Sequence, residues 1–140
     1  MTRFRAVVLD TNVIVAALLT QDAASPTARI LDRLLEGRIP ALLSSRLLIE
    51  YRQVLLRPRI QARHGLDEEQ IDQILAEIVG NSIVREPRVP GHPSPSPEDQ
   101  HLWDLLACET GSILVTGDRL LLANPPENAS VVSPADFLAG

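Results

Sequence analysis

An uninterrupted apolar run, Ala6-Val7-Val8-Leu9, ends abruptly in Asp10, Thr11 and Asn12, and apolar residues resume from Val13 to Leu19 in helix-like composition. A run without polar alternation predicts a strand at the centre of a parallel sheet covered on both faces. Ser25-Pro26 opens the next helix, with Ile30, Leu31, Leu34 and Leu35 on one face and Gly37 at its end. A short apolar strand at 40–44 follows; Ser44 or Ser45 caps a helix running to Leu56, which Pro58 stops. Asp67 with Gln70 three places on has the capping-box spacing, and Ile71, Ile74, Leu75 and Ile78 then repeat at helical intervals up to Gly80. Residues 82–85 read as a third strand. Five of the eleven prolines fall within 86–97, an extended surface connection. Ser96-Pro97 begins a helix that turns Leu102, Leu105 and Leu106 inward and ends at Gly111. A buried strand at 113–116 runs straight into Gly117-Asp118, a short helical turn occupies 119–122, residues 130–132 form a last strand, and Ser133-Pro134 starts a final turn reaching Phe137 and Leu138.

This order predicts an α/β protein: a three-layer α/β/α sandwich with a mainly parallel central sheet of about five strands, folded as one domain over 1–140. In such sheets the carboxyl ends of the strands carry the ligand site. Two of the buried strands end in an acid, Asp10 and Asp118, so residues far apart in sequence are expected to meet at one sheet edge. Composition adds little to this picture. With four aromatics in 140 residues the core is built from Leu, Ile, Val and Ala, Trp103 and Cys108 included. The single cysteine excludes an internal disulfide and a cysteine zinc cage. Residues 1–5 lead straight into the first strand without a secretory apolar region, and no apolar run reaches the ~18 residues of a membrane span, so a cytoplasmic location is expected.

Charge narrows the function. The net charge is −5, and all thirteen basic residues are Arg, which argues against gripping nucleic acid through overall charge. Two divalent cations bound by the acids would bring the balance to about −1 and let a phosphate meet metal instead of carboxylate. Each candidate acid also has a plain structural role open to it. Asp10, Thr11 or Asn12 can cap the first helix. Glu50 borders the apolar stripe of its helix and can pair with Arg46 one turn earlier or ligate a metal; the pair, with the base N-terminal to the acid, is worth only about 0.3 kcal/mol. Asp99, three residues after Ser96, can complete a capping box, and Asp118 can cap the turn at 119–122.

Taken together, the strand-Asp-Thr-Asn-Val start, the helical Glu50, Asp99 early in a late helix and Leu-Val-Thr-Gly-Asp ending at Asp118 have a recognisable order and spacing. They resemble the PIN-domain nucleases, especially the bacterial group of toxin components of toxin–antitoxin systems. The similarity runs through nearly the whole chain, including the Glu-bearing helix from Ser44 to Pro58. The resemblance implies that Asp10, Glu50, Asp99 and Asp118 are the catalytic, metal-binding acids, with Asn12 and Thr116 as polar residues of the site. It implies an endoribonuclease dependent on Mg²⁺ or Mn²⁺, an RNA substrate, a cognate antitoxin protein and, as in many relatives, a homodimer. Ser96 departs from the pattern, since relatives often carry another Asp there. Asp104, where relatives often have an acid, is placed at the periphery or the surface.

The residues support that chemistry on their own terms, because hard divalent cations choose oxygen ligands and keep several waters. Arg46 and Arg119, with Arg52, Arg57 and Arg59, are placed around the mouth, as backbone-phosphate contacts or as solvated helix charges. His64 and His92 are expected in loops and His101 on a solvated helix face. A haloacid-dehalogenase-type phosphotransferase is set aside because Asn12 stands where its second Asp belongs and the chain has no Lys; a dinucleotide or P-loop site needs a Gly-rich turn that Thr11-Asn12 does not offer. The rival from another class is a PIN-like module that binds RNA or a protein without cutting it.

Overall fold

The computed structural model describes residues 6–140, so the expectation for residues 1–5 lies outside the described residues. Strands β1 (Ala6–Leu9), β2 (Ala41–Leu43), β3 (Ser82–Val84), β4 (Ser112–Val115) and β5 (Ser130–Val132) form one parallel sheet in the order β3-β2-β1-β4-β5. Helices α1 (Thr11–Leu19), α2 (Pro26–Leu35), α3 (Ser45–Leu55), α4 (Pro58–His64), α5 (Glu68–Gly80), α6 (Gln100–Leu106), α7 (Arg119–Ala123) and α8 (Pro134–Ala139) flank it. The expected α/β/α sandwich is thus observed, and its sheet is parallel throughout.

The strand order decides where a site can form. From β1 the chain steps outward through β2 to β3, then returns to the other side of β1 as β4, pairing Val7 with Ile113 and Leu9 with Val115. The direction of winding therefore reverses between β1 and β4, and a crevice opens outside their carboxyl ends. Both strands are buried along their full length, as their unbroken apolar runs require. Helix α6, the last element of the connection back to β4, packs against both.

One element was not anticipated. Pro58 does end α3, since it has no N–H to continue the ladder, but its fixed φ also suits a first helical turn, and it begins α4. That helix closes at Gly65, whose φ of 70° lies in the left-handed region. His64 is accordingly not in a loop: its ring nitrogens meet the Leu55 carbonyl at 2.9 Å and the Leu66 N–H at 3.0 Å. The proline-rich connection at 86–97 is tied down along α6, with the Gly91 N–H donating to Asp104 at 2.7 Å and Gln100 bridging Ser94, His92 and Asp104. A side chain at Gly91 would stand 2.5 Å from the Trp103 carbonyl, so only glycine lets the backbones approach.

Helix α5 starts with the complete capping box: Asp67 accepts from the Gln70 N–H at 2.8 Å while Gln70 accepts from the Asp67 N–H at 3.0 Å. Such a cap is worth about 1 kcal/mol. Asp67→Ala is expected to lower the melting temperature by about 2–5 °C and leave any catalytic rate unchanged, which thermal melts and assays on the same sample will check.

Candidate functional site

Asp10 follows β1 directly and occupies the N-cap of α1, its Oδ1 accepting from the Thr11 N–H at 2.8 Å. Its other oxygen is held by two side chains, the Thr116 hydroxyl at 2.8 Å and the Asn12 amide at 3.1 Å. Capping and site geometry are therefore not alternatives for this residue, because each oxygen serves one of them. Thr116 leaves β4 fully buried and acts as a hub: besides donating to Asp10 it accepts from Asn12 at 3.2 Å and from the Asp118 N–H at 3.0 Å. Asn12 closes the loop by accepting from the Gly117 N–H at 3.0 Å. The turn after β1 and the turn after β4 are thereby locked together across the crevice. Asp118 accepts from the Leu120 N–H at 2.8 Å and caps α7, as expected, while remaining at this edge.

Glu50 reaches the crevice from α3. Its Oε2 accepts from the Thr11 hydroxyl at 2.7 Å, and Nε2 of His101 stands 3.4 Å away. These, more than Arg46, are its partners. The next residue, Tyr51, is buried and donates its hydroxyl to the Leu9 carbonyl, pinning α3 to the end of β1. Asp99 lies on a short 3₁₀ turn (Pro97–Asp99) leading into α6, and the capping box proposed for it with Ser96 does not form: neither side chain caps the helix, and the Asp99 N–H bonds to the Ser96 carbonyl instead. Among the described residues the Asp99 carboxylate has no hydrogen-bond partner, while burial, followed by the charges of Asp118 and Glu50, raises its pKa.

The acids also act on one another through their charges. Burial raises the Asp10 carboxyl above its ordinary range; the bonds from Thr116 and Thr11 oppose this, and the charges of Asp99 and Glu50 add to it. His101 holds Glu50 below its ordinary value, with help from Thr11 and against burial. Among the described residues no three carboxylate, imidazole or thiol groups already enclose a point as ligands to an ion would. Beside Asp118 and Asn12 the crevice widens into a groove of about 460 Å³, with Val13 and Ala16 of α1, Thr27 and Pro134 along its walls.

Other expectations change. His101 is not solvated: its side chain is only 12% exposed, and neither ring nitrogen has a hydrogen-bond partner among the described residues. Arg52 is committed elsewhere, to Asp72 at 2.8 Å and to Glu68, so it is a brace between α3 and α5. Arg46 and Arg119 are exposed, the first a helical turn before Glu50 and the second next to Asp118; Arg57, at the N-cap of α4, and Arg59 within it are exposed too. Asp104 is occupied by Gly91 and Gln100. Trp103 is core. Thr11, expected only as a possible helix cap, and His101, expected on a solvated helix face, are the polar residues that meet Glu50. Thr11 had a signal in its place beside Asp10; His101 had only its offset of two from Asp99.

The family model for the PIN domain matches residues 6–120, from the first residue of β1 to the start of α7. No individual curated protein matches the chain.

Proposed function

Because the chain belongs to the PIN-domain family, whose members are typically nucleases, we propose that it is an endoribonuclease dependent on Mg²⁺ or Mn²⁺, with Asp10, Glu50, Asp99 and Asp118 as its metal-binding acids. The observation that carries this reading is the crevice between β1 and β4, where Asp10 is held by Asn12 and Thr116 and faces Glu50 and Asp99.

The donor set fits a hard divalent cation. All four acids offer oxygen, and the burial and mutual repulsion that raise Asp10 and Asp99 are what a cation between them relieves. When bound, such a cation supplies the positive charge that holds a scissile phosphate and makes a water nucleophilic near neutral pH. The protein supplies the remainder. Thr116 and Asn12 fix the direction of the Asp10 carboxylate, as supporting residues do for ligands. Thr11 and His101 hold Glu50 ionised and aimed into the crevice. Asp99, free of hydrogen bonds among the described residues, keeps both oxygens available. The groove beside Asp118 offers an apolar wall to a base of an unpaired strand, and the exposed Arg46 and Arg119 are available to backbone phosphates.

A role as the toxin of a toxin–antitoxin pair, with an antitoxin protein as partner and the chain acting as a homodimer, belongs to the same proposal; a neighbouring small reading frame for a DNA-binding protein is its first test. The purified protein is expected to cleave single-stranded RNA with Mg²⁺ or Mn²⁺ and to stop when excess EDTA is added. Cleavage that persists in EDTA, or binding of RNA without any cleavage in either metal, overturns the nuclease reading, the second outcome in favour of a binding module.

A further inference from the structure

His101 extends from α6 toward Glu50 on α3, and both of its ring nitrogens are buried without a hydrogen bond among the described residues. A buried polar group left unpaired is destabilising, so such groups are nearly always satisfied by something. Here Nε2 stands 3.4 Å from Glu50 Oε2, an ion-pair contact that falls short of a hydrogen bond. Two adjacent donors sharing one octahedral cation stand about 3 Å apart, so little movement is needed for both atoms to serve the same ion.

Resting on the reading that the acids hold a divalent cation, we propose that Nε2 of His101 is a ligand to the cation that Glu50 holds, and that the site therefore prefers Mn²⁺ to Mg²⁺. Mn²⁺ and Mg²⁺ both favour carboxylate oxygen and water, but Mn²⁺, a first-row transition ion, accepts an imidazole nitrogen more readily than Mg²⁺ does. A nitrogen in an otherwise all-oxygen set thus discriminates between two ions that carboxylates alone treat similarly. It also gives a role to Nε2, a buried nitrogen that faces Glu50 without a hydrogen bond.

Calorimetric titration of the metal-free protein with MnCl₂ and MgCl₂ tests this without an activity assay. The wild type is expected to bind Mn²⁺ at least tenfold more tightly than Mg²⁺; His101→Gln is expected to weaken Mn²⁺ binding tenfold or more and Mg²⁺ binding less than threefold. Equal weakening of both ions makes His101 a residue that positions Glu50, and no weakening makes it a packing residue; either overturns the proposal. Electron spin-echo spectra of the Mn²⁺-loaded wild type provide an answer that does not depend on a variant folding. Modulation from a coordinated imidazole nitrogen is expected, and it should persist in His92→Gln, which removes the exposed histidine; both nitrogens of His64 are already engaged. Mn²⁺ bound without that modulation overturns the role of His101 and leaves the carboxylate site standing. Failure of the wild type to bind either ion overturns both.

Discussion

Asp99→Asn is expected to fold normally, to melt about 1–3 °C higher than the wild type in the absence of metal, and to lose cleavage activity by more than about a hundredfold. The two effects have one source. Asp99 makes no hydrogen bond among the described residues and caps no helix, so Asn removes nothing that holds the fold. What it removes is a charge disfavoured by burial and by Asp118 and Glu50. Repulsion among partly exposed charges is worth some tenths of a kcal/mol, hence the small rise. The sign with pH follows from the raised pKa. In the folded wild type the neutral carboxyl is favoured, so this contribution to stability is fully present below the ordinary value of 3.8 and is lost as pH climbs through the folded value. Asn cannot lose it, so the gap in melting temperature should widen from pH 4 to pH 7. A variant that keeps wild-type turnover shows that Asp99 is no ligand; one that melts lower by several degrees shows that its carboxylate has a structural partner.

Thr116→Val is expected to act in the opposite sense on the fold and in the same sense on the chemistry. The substitution keeps the shape of a fully buried side chain but deletes a hydroxyl that donates to Asp10 and accepts from Asn12 and the Asp118 N–H. Leaving such partners unsatisfied costs about 1–3 kcal/mol, which corresponds to a fall of about 3–8 °C in melting temperature. The activity should drop about tenfold to a hundredfold, as when a residue supporting a metal ligand is removed. A pH profile separates this from a loss of fold. The Thr116 bond is the strongest influence lowering the Asp10 carboxyl against burial, so without it Asp10 is protonated at higher pH and the acid limb of the rate profile moves upward. Thr116→Ser retains the hydroxyl and should restore both the limb and most of the rate. An unshifted limb in Thr116→Val means that Asp10 does not titrate in the reaction.

The local sequence determined what depends on neighbours in the chain. The apolar runs at 6–9 and 112–115 specify buried parallel strands because nothing polar alternates within them, and the reversal of winding that follows puts Asp10 and Thr116-Gly117-Asp118 at one edge. The capping boxes and Pro-Gly boundaries were legible for the same reason, and where they misled, at Ser96 with Asp99 and at Pro58, one local signal had two permitted outcomes. Only tertiary structure decided which partner each polar side chain took. Glu50 turned from Arg46, four residues away, to Thr11, thirty-nine residues away; Arg52 was drawn off to α5; His101 was buried against Glu50 by the packing of α6 on β1 and β4. A hydrogen bond or a burial across that separation leaves no period in the sequence. It exists only once the sheet order has brought the carboxyl ends of β1 and β4 together, and it is there that four unremarkable acids acquire a common environment.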